Sequence, residues 1–444
     1  MAIQSEAPRQ GPVGDQSSVV DQKSARPTKT ISRRNFLIGA GVGGAGLLTA
    51  AGLAAVNQFG NDNDLENQAP QGGVEPSANP KAPSVLGGET VLEATPTPEA
   101  VDPNALRELA SKRGVDVGFQ LIPTHLRNSA YRELMANNSN LVSLGSTWDT
   151  VSPQFIPALR PNKDEFNFSD MDKGVDFAQK NGIKVQGNGL VWGHFLPKWL
   201  TSGNYSKSEL TEIFENHIGT VVDRYNGDKG RKIDQWVVVN EPVAAKRGWG
   251  DPLFGFWYKN LGYEFVNDRA FDLAGQASKG ARLILNESFY NHGQGNNVTD
   301  ILVSDVASLA RFLVAKGHSI AIGMQMHVRG DSLPLDRFEK DMKLFKDIAG
   351  EVVITEFDID MSGVKGTPEE RAARLAFGYD EISGRYLNAG GKNLLLFGPT
   401  DNYSWYAQDK PNADATLFDR NLKKKPAYDM VKARIEALPI APSR

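Results

Sequence analysis

Two glutamates stand where this sequence could do bond-breaking chemistry. Glu241 belongs to the stretch WVVVNEP, residues 236–242, in which four apolar residues give way to Asn240, a carboxylate and a proline. The proline cannot donate to a sheet ladder, so the strand must stop there. Glu356 follows a second apolar run, VVIT, and precedes Phe357 and Asp358. One glutamate at a strand end reads most simply as an ion-pair partner or a cap. Two of them, at the ends of separate buried strands, form the pair that glycoside hydrolysis needs. One carboxyl group protonates the leaving oxygen, and the other attacks the anomeric carbon or activates water. The other apolar runs stop on residues that suit the same site: Gln325 with His327, Asn188, Asn286-Glu287, and Phe397 before Gly398. Trp192 and His194 lie in LVWGHFLPKW, and Trp405 lies in TDNYSW. Aromatic faces stack on the apolar C–H faces of sugar rings, while Asn, Gln and His bond their hydroxyls. Trp199, Trp249, Trp257 and Tyr403 occupy adjoining segments, although Trp249 and Trp257 read equally well as packing between outer helices. Asp401 also reads as a loop cap, and lysines 423–425 as a solvated face.

These side chains share a site only if the strand ends converge. Eight short β-rich runs are visible, at 117–120, 140–144, 184–188, 235–239, 281–286, 320–325, 351–355 and 393–397. Helix-period segments lie between them, at 171–182, 208–227, 298–317, 335–350 and 368–390. Gly182, Gly227, Gly317 and Gly350 sit where a helix ends in a left-handed residue, and Ser206 sits where one begins. Strand and helix alternating eight times over 105–444 predicts an α/β fold, a (β/α)8 TIM barrel, in preference to an open doubly wound sheet. In such a barrel the strand C-termini open onto one face. Glu241, from the fourth strand, and Glu356, from the seventh, then face each other there.

The first 104 residues have a different texture. Residues 1–56 contain the pair Arg33-Arg34, then Phe36-Leu37 and an uncharged Gly- and Ala-rich run to Val56. This is the layout of an export signal, and the paired arginines resemble a twin-arginine signal, which implies export out of the cytoplasm. The run is also about long enough to span a bilayer, so a retained signal would tether the protein to the outer face of the cytoplasmic membrane. GAGVGG, Gly39–Gly44, matches a dinucleotide-binding pattern but follows two arginines, not a strand, and is set aside. Residues 57–104, rich in Asn, Pro and Gly, read as a disordered linker.

Composition narrows the function further. With 49 basic and 53 acidic residues, a net charge of −4 argues against nucleic acid or an anionic membrane surface as a general partner. The absence of cysteine removes disulfides, thiolate nucleophiles and Cys-based zinc sites. None of the six histidines forms an HExxH or an i, i+4 pair, so neither a metal nor another cofactor is expected. The expected partner is a polysaccharide or oligosaccharide substrate, with no obligatory protein partner evident.

From residue 115 to 437 the chain resembles glycoside hydrolase family 10, the retaining endo-β-1,4-xylanases. The resemblance rests on FNFSDMDKGVDFAQKNG, LVWGHFLPKW, WVVVNEP, GMQMHV, ITEFDI, TDNYSW and KKPAY, in that order and spacing. It implies Glu241 as acid/base, Glu356 as nucleophile, and Asn240 as the partner of the substrate 2-hydroxyl. It further implies His327 as the partner of the nucleophile with Asp358 beside it, Gln325 as a polar neighbour, and Trp405 as a cleft wall. Retention implies carboxyl groups roughly 5–5.5 Å apart. The acid must start protonated, which burial and the second carboxylate would favour.

The sequence departs from the family at three strand ends. The segment LGSTWD, 144–149, lacks the family's Glu-Asn and Lys. GNGLVWG, 187–193, places Asn188 and Gly193 where histidines are usual. Phe397 stands for a tryptophan. All three fall on the glycone side of the cleft. The reaction class is therefore better fixed than the polymer, and xylan, another β-linked polysaccharide and a small β-glycoside all remain open as substrates. A barrel that binds glycans without cutting them is the reading from a different class.

Overall fold

The computed structural model describes residues 102–149, 158–227, 230, 232–249, 253–290, 295–407 and 409–442. The export signal and all but the last three residues of the linker lie outside the described residues.

Among the described residues there are nine strands: β1 (Asp116–Phe119), β2 (Leu141–Gly145), β3 (Lys184–Val191), β4 (Gln235–Asn240), β5 (Arg282–Ser288), β6 (Ala321–Gln325), β7 (His327–Arg329), β8 (Val352–Asp360) and β9 (Asn393–Leu396). Eight of them pair in parallel in the order β1-β9-β8-β6-β5-β4-β3-β2. A parallel bridge between Gln120 and Ser143 joins the two ends. Hydrogen bonds from Asn140 N to Val117 O (2.9 Å) and from Leu121 N to Ser143 O (2.8 Å) support that bridge. The sheet therefore returns on itself as a (β/α)8 barrel and leaves no doubly wound edge. β7 is a three-residue continuation of β6 beyond Met326 and pairs with β8. The expected fourth and seventh strands are thus β4 and β8.

The helices occupy the segments their periodicity predicts. Lys207–Asn226 and Pro368–Asn388 each begin with a capping box, Ser206 with Glu209 and Thr367 with Glu370. Each box satisfies helix N–H groups that have no partner within the helix. Gly182, Gly317 and Gly350 follow their helices at φ of 63°, 94° and 80°. Gly227 does not: its φ is −72°, and its N–H bonds Asp223 O as the chain leaves extended. A side chain there would instead collide with that same carbonyl, 2.4 Å from the position of a Cβ.

Side chains alternate across a strand, so the inner and outer faces of the wall can be followed residue by residue. At the N-terminal end of the barrel the interior is polar. Gln235 Nε2 donates to Gln186 Oε1 (2.7 Å), and Asn393 Nδ2 donates to Gln235 Oε1 (2.8 Å). Above this lies an apolar layer of Val237, Ile284, Ala321 and Val353. The outward-facing strand residues join the large core shared with the helices.

Three strands break this alternation before they reach the C-terminal mouth. In β4 the register shifts between Val237 and Val239, and Val238 and Val239 both belong to the outer core. Asn240 therefore turns inward opposite Asn286, where strict alternation would have turned it out. In β8 the register shifts between Ile354 and Phe357. Thr355 and Glu356 both reach the interior, while Phe357 returns to the outer core. β3 shifts similarly between Asn188 and Val191.

Candidate active site

The barrel mouth is organised around Asn286, at the end of β5. Its Nδ2 donates to Asn240 Oδ1 (2.8 Å) and to Glu356 Oε1 (2.9 Å), and its Oδ1 accepts from Thr355 Oγ1 (2.7 Å). Gln325 Nε2 donates to the same Asn240 Oδ1 (3.1 Å) and to Glu241 Oε1 (3.0 Å). A single chain of amides thus runs from Glu241 through Gln325, Asn240 and Asn286 to Glu356. Both NH₂ groups spend both hydrogens on it. Asn240 accepts with its oxygen, which leaves its own NH₂ to bond a ligand.

Asn286 needs space that only glycine provides. A Cβ on the facing residue of β6, Gly323, would lie 2.3 Å from Asn286 Oδ1 and 2.7 Å from Ile284 Cγ2.

Glu356 collects two further donors. Asn188 Nδ2 reaches Oε1 (3.1 Å), and His327 Nε2 stands 3.4 Å from Oε2. The other ring nitrogen, Nδ1, lies 3.0 Å from Asp358 Oδ1, and Trp405 Nε1 donates to Asp358 Oδ2 (2.6 Å). His327 is fully buried, which disfavours its charge, yet Asp358 and then Glu356 outweigh burial and raise its pKa to about 10. Each ring nitrogen faces a carboxyl oxygen, an arrangement that favours the imidazolium. Burial raises the Asp358 carboxyl, while His327 and Trp405 oppose that rise. Phe397 meets the His327 ring edge-on at 5.0 Å.

Glu241 ends β4 in the left-handed region, at φ 53° and ψ 47°, immediately before Pro242 opens the helix Pro242–Arg247. Its N–H is tied to Asn286 O at 2.8 Å. The left-handed conformation costs a residue with a Cβ roughly 1–2 kcal/mol. The side chain is buried, and its pKa is raised well above the carboxylate range, first by burial and then by Glu287. Gln325 pulls the other way, Glu356 adds to the rise, and His327 opposes it.

The structure thus joins Glu241, Glu356, Asn240, His327, Asp358, Gln325, Asn188, Phe397 and Trp405 in one contact network. Trp192 and His194 meet the segment that follows Glu241 through ring packing. Trp192 packs on Ala244, Ala245 and Phe254, and His194 stacks on Phe254 at 4.1 Å. They line the outside of the turn that carries Glu241. Phe254 also explains Gly193, where a Cβ would lie 1.8 Å from the Phe254 carbonyl oxygen. A histidine cannot occupy that position in this chain.

Trp257 is buried between Trp148 and Phe214, and Trp199 bonds Arg160 O through Nε1, so both are packing residues. Lys425 is not part of a solvated face. It is paired with Asp401 at 2.8 Å, and Asp401 also accepts from Thr416. Sequence reasoning marked Asn286 and Glu287 as a polar run end but gave neither of them, nor Thr355, a specific role. The same rule, polar residues at the end of an apolar run, applies to Asn286 and Glu287. Among the described residues, no group of three or more His, Asp or Glu is arranged to hold a metal ion.

Two buried carboxyl groups, held by one amide chain at the C-terminal mouth of a closed barrel, define a glycoside hydrolase. Comparison with known proteins gives the same class. The chain belongs to glycosyl hydrolase family 10, whose family model matches residues 105–434. Endo-1,4-beta-xylanase B of Thermotoga neapolitana is 30% identical over 343 residues, 74% of this chain and 91% of that protein. Endo-1,4-beta-xylanase A of Phanerodontia chrysosporium is 28% identical over 68% of this chain and 70% of its own length. Among solved structures, native xylanase 10B from Thermotoga maritima superposes with a TM-score of 0.64 at 30% identity, covering 75% of this chain and 98% of that one. Xylanase 10B from Thermotoga petrophila, solved in complex with xylobiose, gives 0.64 at 29% identity, covering 75% and 97%.

Proposed function

We propose that this protein cleaves β-1,4-xylan internally, by double displacement with retention of anomeric configuration, using Glu241 as acid/base and Glu356 as nucleophile. The amide chain between the two carboxyl groups is the observation that carries the assignment, because it links both in one network and gives them unlike surroundings. Glu241 is buried beside like charge with one amide donor, which favours the protonated form. Glu356 is an acceptor from Asn188, Asn286 and the imidazolium of His327. In the first step Glu356 bonds to the anomeric carbon, the glycosidic bond breaks, and the Glu241 proton passes to the leaving oxygen. The glycosyl ester removes the charge on Glu356. Glu241, now a carboxylate, then takes a proton from water as that water's oxygen attacks the anomeric carbon and releases Glu356. Asn240, whose oxygen accepts from Asn286 and Gln325, bonds the sugar 2-hydroxyl through its NH₂ in this reading.

Xylan is the substrate that the named relatives support. The filled space at Gly193 and the asparagine at 188 favour a second reading, a different β-linked polysaccharide cut by the same mechanism. Wild type and Glu356→Ala assayed on a polysaccharide panel, with NMR of the first-formed anomer, test both readings. Release of the retained anomer from xylan by wild type alone supports the proposal. Release from another polymer moves the substrate, first release of the inverted anomer removes the mechanism, and equal negligible release with retained binding makes the barrel a glycan binder. Export through the Arg33-Arg34 segment is proposed with it. Loss of export in an Arg33→Lys, Arg34→Lys variant is the corresponding test.

A further inference from the structure

Glu287 is a third buried carboxyl group that the double displacement does not use. It follows Asn286 on β5, and alternation turns it to the outer side of the barrel wall, behind the turn that carries Glu241. Its Oε2 accepts from Val243 N (3.0 Å) and its Oε1 from Ser288 N (3.1 Å). Asn286 O holds the Glu241 N–H at 2.8 Å. Two successive residues of β5 therefore grip the backbone on either side of Pro242.

The titratable groups facing Glu287 are Glu241 from β4, and Tyr258 and Tyr263 from the helices Phe256–Leu261 and Tyr263–Ala277. The cations nearby are otherwise engaged: Lys246 lies over the Tyr263 ring at 4.3 Å, and Arg247 is paired with Asp305. Among the described residues, no ion pair neutralises Glu287. From its other side Glu241 faces Gln325, Glu356 and His327.

We propose that Glu287 is the positioning residue of the acid: it anchors the turn that presents Glu241 and keeps a second carboxyl group behind that turn, so that the pH at which Glu241 gives up its proton depends on Glu287. The proposal rests on the reading of Glu241 as proton donor. When two carboxyl groups interact, the proton stays on the one with fewer donors. Backbone N–H groups serve Glu287, whereas a single side-chain amide serves Glu241. Burial raises Glu287 to about 8 against those backbone bonds, and its charge then adds to the rise at Glu241. Glu287 therefore ionises first, and Glu241 keeps its proton to higher pH.

The test is the pH profile of kcat/KM for wild type, Glu287→Gln and Glu241→Gln on two aryl β-xylobiosides, one releasing a nitrophenol and one an unactivated phenol. Glu241→Gln should lose activity on the unactivated phenol far more than on the nitrophenol. If it does not, Glu241 is not the acid, and the role of Glu287 falls with it. If Glu241 behaves as the acid, the alkaline limb for Glu287→Gln on the unactivated phenol should move to lower pH by about one unit. An unmoved limb with a uniform drop at all pH values means that Glu287 only supports the fold, and overturns the proposal. If Glu287→Gln is insoluble, carboxyl-carbon NMR of wild type and Glu241→Gln reads the same coupling from the other side. In wild type Glu287 should titrate below Glu241, and its titration should stay in place when Glu241 becomes a neutral glutamine; a Glu241 titration below that of Glu287 overturns the proposal.

Discussion

Replacing Asn286 by alanine should separate the aim of the nucleophile from binding of the sugar. Asn286 places one hydrogen bond on Glu356, one on Asn240 and accepts one from Thr355, all within the protein. The bond to a carboxylate is worth about 1.5–3 kcal/mol and each neutral bond about 1 kcal/mol. If the transition state feels only the bond to Glu356, kcat should fall by about 10- to 150-fold, at 1.36 kcal/mol per decade. The neutral bonds and the stranded Thr355 hydroxyl act on folding instead, and Tm should fall by about 5 °C. In the proposed reading the sugar is bound through the NH₂ of Asn240, which Gln325 still holds by the oxygen, so KM should change little. Steady-state kinetics on the best polysaccharide of the panel, with thermal unfolding on the same preparation, supplies both numbers. A kcat within twofold of wild type in a folded variant would refute the hub. A large rise in KM at constant kcat would show that Asn286 serves binding, not aim.

Three further outcomes follow from neighbouring features. Gly323→Ala should displace the Asn286 amide and reproduce most of the kcat loss of Asn286→Ala, and kinetics of the double variant should show little added effect. His217 is fully buried, stacked on Trp148 at 3.6 Å, with neither ring nitrogen hydrogen-bonded among the described residues. Burial and then Arg160 lower its pKa well below 6.5, so only the unfolded state takes up its proton as pH falls through that value. Its neutral form supports the fold above about pH 6.5 and it costs stability below, so His217→Phe should gain Tm relative to wild type at acid pH and not at pH 8. Ser206→Ala removes one capping box and should cost about 1 kcal/mol in chemical denaturation with unchanged activity.

The barrel was legible because its signals are local. Apolar runs, their polar ends and the spacing of helical segments all lie within a few residues of one another, and each expected strand overlaps an observed one. The proposed catalytic pair was legible for the same reason, since Glu241 and Glu356 end their runs visibly. The register shifts in β3, β4 and β8 were not. Strict alternation from Val237 turns Asn240 outward, and only pairing with Asn286 across the ladder shows the extra residue that turns it in. Asn286 was visible as the polar end of its run, but its place as the hub was not, because that comes from three partners on two other strands, β4 and β8, none adjacent to it in sequence. Lys425 misled because a lysine run near an exposed helix usually faces water, whereas Asp401, 24 residues upstream, draws one member of the run inside.

The left-handed backbone at Glu241 means that part of this protein's thermal resistance has been given up for reactivity. A glycine at 241 would relax the twist at no steric cost and remove a desolvated acid from the interior. An inactive Glu241→Gly barrel should therefore melt later than the working enzyme, which is the trade that selection for heat tolerance alone would be free to make.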